Sequence, residues 1–198
     1  MSGRLVVLVS GTGSNLAAIM TACAAGGLDA EVVGVVANKP AGGIDKADVA
    51  GIPTVVLAPE RGESRSDYDR RLTAVVADFD PDLVVMAGWM RITTMAFLEN
   101  FDVVNLHPAL PGAYPGLHAI ERAYDDWVAG DVDTAGVMVH WVPDEGVDDG
   151  PVIAERPVPF VEGDTLESFE TRVHQIEHEL IVEAIALALS HIGVNSAL

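Results

Sequence analysis

With 198 residues, about half of them apolar, the chain is long enough for one domain with a buried core. Its formal net charge of −19, from 30 acidic and 11 basic residues, excludes non-specific capture of nucleic acid, because phosphates would be repelled. No apolar run reaches the roughly 18 residues of a membrane span, and the first residues carry no secretory pattern. The single cysteine, Cys23, excludes internal disulfides and cysteine-based zinc clusters, so a reducing cytoplasm is the expected location. In so acidic a chain an anionic ligand needs a local positive site, either a helix N-terminus or one of the few arginines and two lysines.

Leu5-Val6-Val7-Leu8-Val9 is a continuous apolar run, the pattern of a strand covered on both faces. Ser10-Gly11-Thr12-Gly13-Ser14-Asn15 follows, then a helical pattern through Leu16, Ile19 and Met20 to about residue 26. Strand, glycine turn and helix together present backbone N–H groups and a positive dipole end to an anion. Leu16 stands where a dinucleotide fingerprint needs its third glycine, and Ala37-Asn38-Lys39 takes the place of its acidic residue. The turn therefore reads as a monophosphate cradle; a plain tight turn with Ser14 or Asn15 as N-cap is the alternative.

Strands are expected at residues 31–37, 53–57 and 83–87, with helices at 44–50, 66–77 and 93–99 between and after them. The next strand ends in Asn105-Leu106-His107-Pro108. Asn105 and His107 lie two apart and share a side of that strand, at the edge where open α/β sheets bind ligands. Two prolines and two glycines fix the turn Pro111-Gly112-Ala113-Tyr114-Pro115-Gly116. A helix over 117–129 leads to a strand at 134–142, with Met138 and His140 on one side and Val137, Val139 and Trp141 on the other. After an acidic loop, an antiparallel partner strand covers 152–160. A long helix over 165–191 has Asp164 or Thr165 as N-cap. The expected fold is a single α/β domain: a doubly wound, mostly parallel, Rossmann-like sheet with a C-terminal antiparallel strand pair and a long last helix.

The carboxyl edge of such a sheet collects the glycine cradle, the Met90-Arg91 loop, Asn105 with His107, and an acidic loop holding Asp144, Glu145, Asp148 and Asp149. A histidine near a carboxylate is a tunable acid or base, an amide beside it can donate to a developing oxyanion, and an arginine at a loop tip suits a ligand carboxylate. Together these suggest acyl-type transfer on a phosphorylated small molecule. Nothing resembles a nucleophile elbow, so no covalent intermediate is expected. His174-Gln175-Ile176-Glu177-His178 spells the H-x-x-E-H pattern of inverted zinc peptidases and competes as a metal site; a solvated face or a substrate contact is the alternative. His140 faces inward as a core residue or a support for the site, His118 could border the pocket, and His191 is expected to be exposed.

Five stretches carry a resemblance. Gly11-x-Gly13-Ser14-Asn15-Leu16, Gly88-Trp89-Met90-Arg91-Ile92, Asn105-Leu106-His107-Pro108, Tyr114-Pro115-Gly116-Leu117-His118 and Val147-Asp148-Asp149-Gly150-Pro151 resemble, in order and over nearly the whole chain, the phosphoribosylglycinamide formyltransferase family of purine synthesis. The resemblance implies transfer of the formyl group of 10-formyltetrahydrofolate to the amine of glycinamide ribonucleotide, by direct attack through a tetrahedral intermediate. It implies that Asn105 holds the formyl oxygen, that a protonated His107 stabilises it and donates the proton, and that Asp148 raises the pKa of His107. Gly13, Ser14 and Asn15 would hold the ribose phosphate and Glu177 the glycinamide end, which gives the H-x-x-E-H helix a role without metal. Met90, Arg91, Ile92 and Thr93 would line the folate site with Asn105, with Arg91 and Arg65 toward the glutamate tail. The two small molecules are the implied partners, and a homodimer is left open.

The chain departs from the family pattern at Ala109-Leu110-Pro111-Gly112, at Pro143 as an extra loop residue, and at Asp149, a second aspartate; Gly150-Pro151 sets the register that selects Asp148. The rivals are formyltetrahydrofolate hydrolase, methionyl-tRNA formyltransferase and a non-catalytic phosphate-binding module. The first two usually carry an extra domain, and the third has no need of Asn105, His107 and Asp148 together.

Overall fold

The apolar run of the first strand, β1 (Gly3–Val9), sets the layers: Leu5, Val7 and Val9 pack into one apolar cluster, Val6 and Leu8 into the other. This is the pattern of a strand with helices on both faces. A computed structural model describes residues 2–194. β2 (Ala30–Ala37), β3 (Thr54–Val56), β4 (Leu83–Met86), β5 (Val103–His107), β6 (Thr134–Trp141) and β7 (Val152–Pro159) complete one sheet, in the order β3-β2-β1-β4-β5-β6-β7. β1 to β5 are parallel, β6 runs antiparallel to β5, and β7 antiparallel to β6. The reversal thus starts one strand earlier than a C-terminal pair alone requires. Its register sets Asn105 opposite His140.

One layer holds α1 (Ser14–Ala24), α2 (Gly42–Val49), α5 (Ala119–Ala129) and α6 (Leu166–His191). Leu16, Ile19, Ile44, Ile120, Leu180 and Ile185 fill it. The other layer holds α3 (Arg65–Ala77) and the single turn α4 (Met95–Leu98), through Tyr68, Leu72, Val76 and Phe97. Ser64 caps α3 by accepting from the Asp67 N–H. Thr165 and Ser168 cap α6 reciprocally, with serine taking the part that glutamate usually plays. Asp164 grips Arg172 with both oxygens, at 2.7 and 2.8 Å, and tethers that end of the helix.

Helix starts differ from the sequence reading by one or two residues at α2, α3 and α6, and three others differ for visible backbone reasons. α1 begins at Ser14, with left-handed Gly13 as its N-cap, so neither Ser14 nor Asn15 caps it. α5 begins at Ala119 because His118, at φ 60, is the left-handed residue before it. Thr94 stays extended, which shortens α4 to one turn. Among the described residues no helix is long and apolar enough to cross a membrane.

Candidate active site

The strand order reverses between β1 and β4, and a crevice opens at the carboxyl ends of strands at such a switch point. A cavity of about 840 Å³ lies there, a size that suits a small-molecule site. The turn after β1, the loop after β4, the end of β5, the loop between β6 and β7, and α6 all contribute to its wall.

The turn after β1 is held by close backbone packing. Gly13 has φ 72, and a Cβ there would lie 2.5 Å from Gly43 Cα. Glycine is the residue that satisfies both constraints. No side chain caps α1, which leaves its first-turn N–H groups to a ligand. The start of α2 packs alongside, with Gly43 N–H donating to the Gly11 carbonyl at 3.2 Å. Lys46, on α2, donates from Nζ to the Thr12 carbonyl. It brings a cation to the rim of the cradle, and the sequence reading missed it because it lies 33 positions beyond Gly13.

The centre of the cavity is a cluster around Asp148. Asn105 Nδ2 donates to Asp148 Oδ1 at 3.0 Å and lies 3.2 Å from His140 Nε2. Gly116 N–H donates to Asp148 Oδ2 at 2.8 Å, and His107 Nδ1 stands 3.3 Å from the same oxygen. His140 Nε2 lies 3.6 Å from Oδ1. Both histidines are buried. Their tautomers follow from their acceptors: His107 Nε2 donates to the Tyr114 carbonyl at 3.1 Å, and His140 Nδ1 to the Trp141 carbonyl at 2.8 Å. His107 Nδ1 is thus the ring nitrogen turned toward Asp148. Asp148 is the aspartate that faces His107, whereas the Asp149 carboxylate turns back against Gly146.

Burial pushes the His107 imidazole below its ordinary value, and the nearby Asp148 charge opposes this without reversing it. Both ring nitrogens face oxygen acceptors, Nε2 the Tyr114 carbonyl and Nδ1 the Asp148 carboxylate. The 3.3 Å spacing of His107 from Asp148 is longer than a charge-assisted pair adopts. Burial acts to raise Asp148, but its contacts with His140, the Gly116 N–H and His107 outweigh burial and hold the carboxyl below its usual range. Among the described residues the non-glycine residues with left-handed backbone are Asp80, Tyr114, His118 and Asp148, and the last is the centre of this cluster. Such strain persists where surrounding contacts over-determine it.

The loop after β4 forms the other wall. The Met90 N–H donates to Ser10 Oγ at 2.9 Å, and the buried Asp69 accepts from the Thr94 N–H, so both ends of the loop are tied down. Thr93 is buried between them, and Met90 and Ile92 are exposed at the mouth with Leu117 and Val147 opposite. The Arg91 guanidinium lies 4.0 Å over the Tyr68 ring, with Nε buried and unpartnered. It is therefore stacked on the cavity wall rather than standing at the loop tip. Arg65 lies at the edge, 3.9 Å from Glu145, with more than half its side chain exposed. Trp89 Nε1 is a second orphaned donor in this wall.

α6 supplies the floor near the cradle. Glu177 is buried and accepts from Asn15 Nδ2 at 3.0 Å and from His174 Nδ1 at 2.8 Å. Hydrogen bonding to Glu177 raises the His174 imidazole above its ordinary value. His174 and Glu177 of the H-x-x-E-H pattern are thus bonded to each other. Among the described residues, no three His, Cys, Asp or Glu side chains come together as a metal group. Every residue expected to bind or react lies in this one cavity wall. His118 is exposed at its rim on Glu121, and His191 lies outside, 5.7 Å from the Trp141 ring.

The formyl transferase family pattern matches residues 3–185. The chain belongs to the formyl transferase family. Within the family it is similar to the phosphoribosylglycinamide formyltransferase of Dictyostelium discoideum, at 40% identity over 94% of this chain and 98% of that protein. It is similar also to the enzyme of that name from Escherichia coli, at 41% identity over 89% of this chain and 82% of that one. Among solved structures, the phosphoribosylglycinamide formyltransferase of Bacillus halodurans superposes with a TM-score of 0.89, at 35% identity over 98% of this chain and all of that one. Members of the formyl transferase family move a one-carbon unit.

Proposed function

We propose that this protein transfers the formyl group of 10-formyltetrahydrofolate to the amine of glycinamide ribonucleotide, in purine biosynthesis. The observation that carries the mechanism is the carboxylate of Asp148, held 3.0 Å from Asn105 Nδ2 and 3.3 Å from His107 Nδ1 in the wall of a cavity with a phosphate cradle at its far end.

In this reading the two ligands take opposite ends of the cavity. The uncapped start of α1, with Lys46 beside it, offers N–H groups and a cation to the ribose phosphate, through Gly13, Ser14 and Asn15. The exposed Met90, Ile92, Leu117 and Val147 offer an apolar slot to a flat ring. Trp89 Nε1 and Arg91 Nε, in residues that line this end, are buried donors without a partner. The 10-formyl group, when bound, supplies the electrophilic carbon.

Asn105 Nδ2 turns one N–H from Asp148 to the formyl oxygen as negative charge grows there. His107 Nδ1, neutral in the resting site, takes the proton that the attacking amine loses as its nitrogen bonds to the formyl carbon. The new imidazolium is then held by Asp148 Oδ2 and gives that proton to the departing folate nitrogen as the old carbon–nitrogen bond breaks. His140 keeps Asn105 in place from the opposite strand.

The test is incubation with both substrates, following release of tetrahydrofolate by absorbance and formation of the formamide. Release that depends on the amine substrate supports the proposal. Release without it, with formate as product, would point to the hydrolase instead. A cytoplasmic location, which suits the single cysteine, is part of the proposal.

A further inference from the structure

Two donors converge on one oxygen of Glu177: Asn15 Nδ2 and His174 Nδ1 both bond Oε2, at 3.0 and 2.8 Å. Among the described residues nothing donates to Oε1. Asn15 Oδ1 is itself buried and without a partner. All three residues line the cavity next to the phosphate cradle. A buried acceptor left bare costs about 1–3 kcal/mol, so Asn15 Oδ1, beside the undonated Glu177 Oε1, marks a place where a ligand supplies hydrogens.

From this geometry we propose that His174 is a positioning residue for the amine substrate. By occupying Oε2 with Asn15, it fixes the Glu177 carboxylate so that Oε1 and Asn15 Oδ1 form a pair of acceptors. That pair reads neighbouring O–H or N–H donors on the phosphorylated substrate. The spacing enforces this arrangement. His174 sits one helical turn before Glu177 on α6, and its imidazole bridges back along the helix, whereas Asn15 reaches Glu177 from the first turn of α1. Without His174, Oε2 keeps a single donor, and the carboxylate can rotate to present either oxygen to Asn15. The acceptor pair is then no longer fixed. A substrate that lacks donors next to its phosphorylated end leaves both acceptors unpaired and is rejected.

This inference rests on the formyl-transfer reading for its probe, glycinamide ribonucleotide. The experiment is calorimetric titration of that ligand, and separately of tetrahydrofolate, into the whole protein and into His174→Ala and His174→Gln. His174→Ala is expected to weaken binding of glycinamide ribonucleotide by roughly tenfold, as for loss of one hydrogen bond to a charged group, and to leave tetrahydrofolate unchanged. His174→Gln, whose amide can donate to Oε2, is expected to recover most of the loss. A merely structural role would weaken both ligands alike and would not be rescued by glutamine. Equal affinity of wild type and His174→Ala, or no recovery in a folded His174→Gln, would overturn the inference alone. A wild type that binds tetrahydrofolate but not glycinamide ribonucleotide would overturn the functional reading and this inference with it.

Discussion

Asp148→Asn removes one charge and little else. Asp148 sits at φ 54, a backbone region that asparagine tolerates as well as aspartate, so the substitution adds no strain that alanine would. Its side chain is nearly enclosed, and so is that of His107, 3.3 Å away. Unit charges at that distance interact by about 5 kcal/mol at an effective dielectric near 20. The asparagine dipole restores part of this, so stabilisation of the catalytic imidazolium should fall by about 3–5 kcal/mol, equivalent to roughly 10²–10⁴ in turnover. Stability should change by only about 1–2 kcal/mol. The variant loses charge-assisted bonds from Gly116 and Asn105 but is freed of the cost of burying a carboxylate. The pH profile supplies a second readout. Because burial lowers the His107 pKa, kcat/KM should climb as pH rises through a midpoint below 6.5 and then level off. Without the Asp148 charge, which pulls that pKa back up, the midpoint should move to lower pH. The assay is the initial rate of tetrahydrofolate release across pH, with thermal unfolding as a control. A rate within about fivefold of wild type in a folded variant, or an unmoved midpoint, would refute the role given to Asp148.

Gly13→Ala combines left-handed strain with a Cβ 2.5 Å from Gly43 Cα. It should cost about 2–4 kcal/mol of stability and raise the KM for glycinamide ribonucleotide more than that for the folate, measured by unfolding and steady-state kinetics. Arg91→Met leaves the apolar wall intact but removes the guanidinium over Tyr68. It should raise the KM for 10-formyltetrahydrofolate by roughly tenfold while sparing the amine substrate. The 30 carboxylates far outnumber the arginines that pair with them, such as Arg65, Arg71, Arg156 and Arg172. Screening that repulsion should raise the unfolding temperature between about 0.05 and 1 M potassium chloride, and a fall over that range would show the surface charge to be harmless.

Much of this site is written in local pattern. The apolar run of β1 and the glycines after it specify a strand, a tight turn and a helix start within 12 residues of Gly3. Asn105 and His107 announce themselves by their two-residue spacing at a strand end. What the sequence hides comes from pairing across the fold. His140 meets Asn105 because β6 runs antiparallel to β5 in one register, and no spacing rule connects residues 35 apart. Lys46 reaches the cradle because α2 packs its glycines against Gly13. The charge of His107 is hidden for a different reason. A neighbouring aspartate can be inferred from a motif, but the opposing cost of burial depends on what covers the ring. Arg91 stacks on Tyr68, a residue of a helix 23 positions earlier, and so lies along the wall rather than at the loop tip.

The central claim is that the formyl carbon passes to an amine rather than to water. The most direct measurement uses 10-formyltetrahydrofolate labelled with ¹³C at the formyl carbon and follows the label by NMR in the presence of glycinamide ribonucleotide. The account predicts a new formamide signal that grows as fast as tetrahydrofolate is released and disappears in His107→Ala. Label that accumulates as formate at the same rate with or without the amine would contradict it.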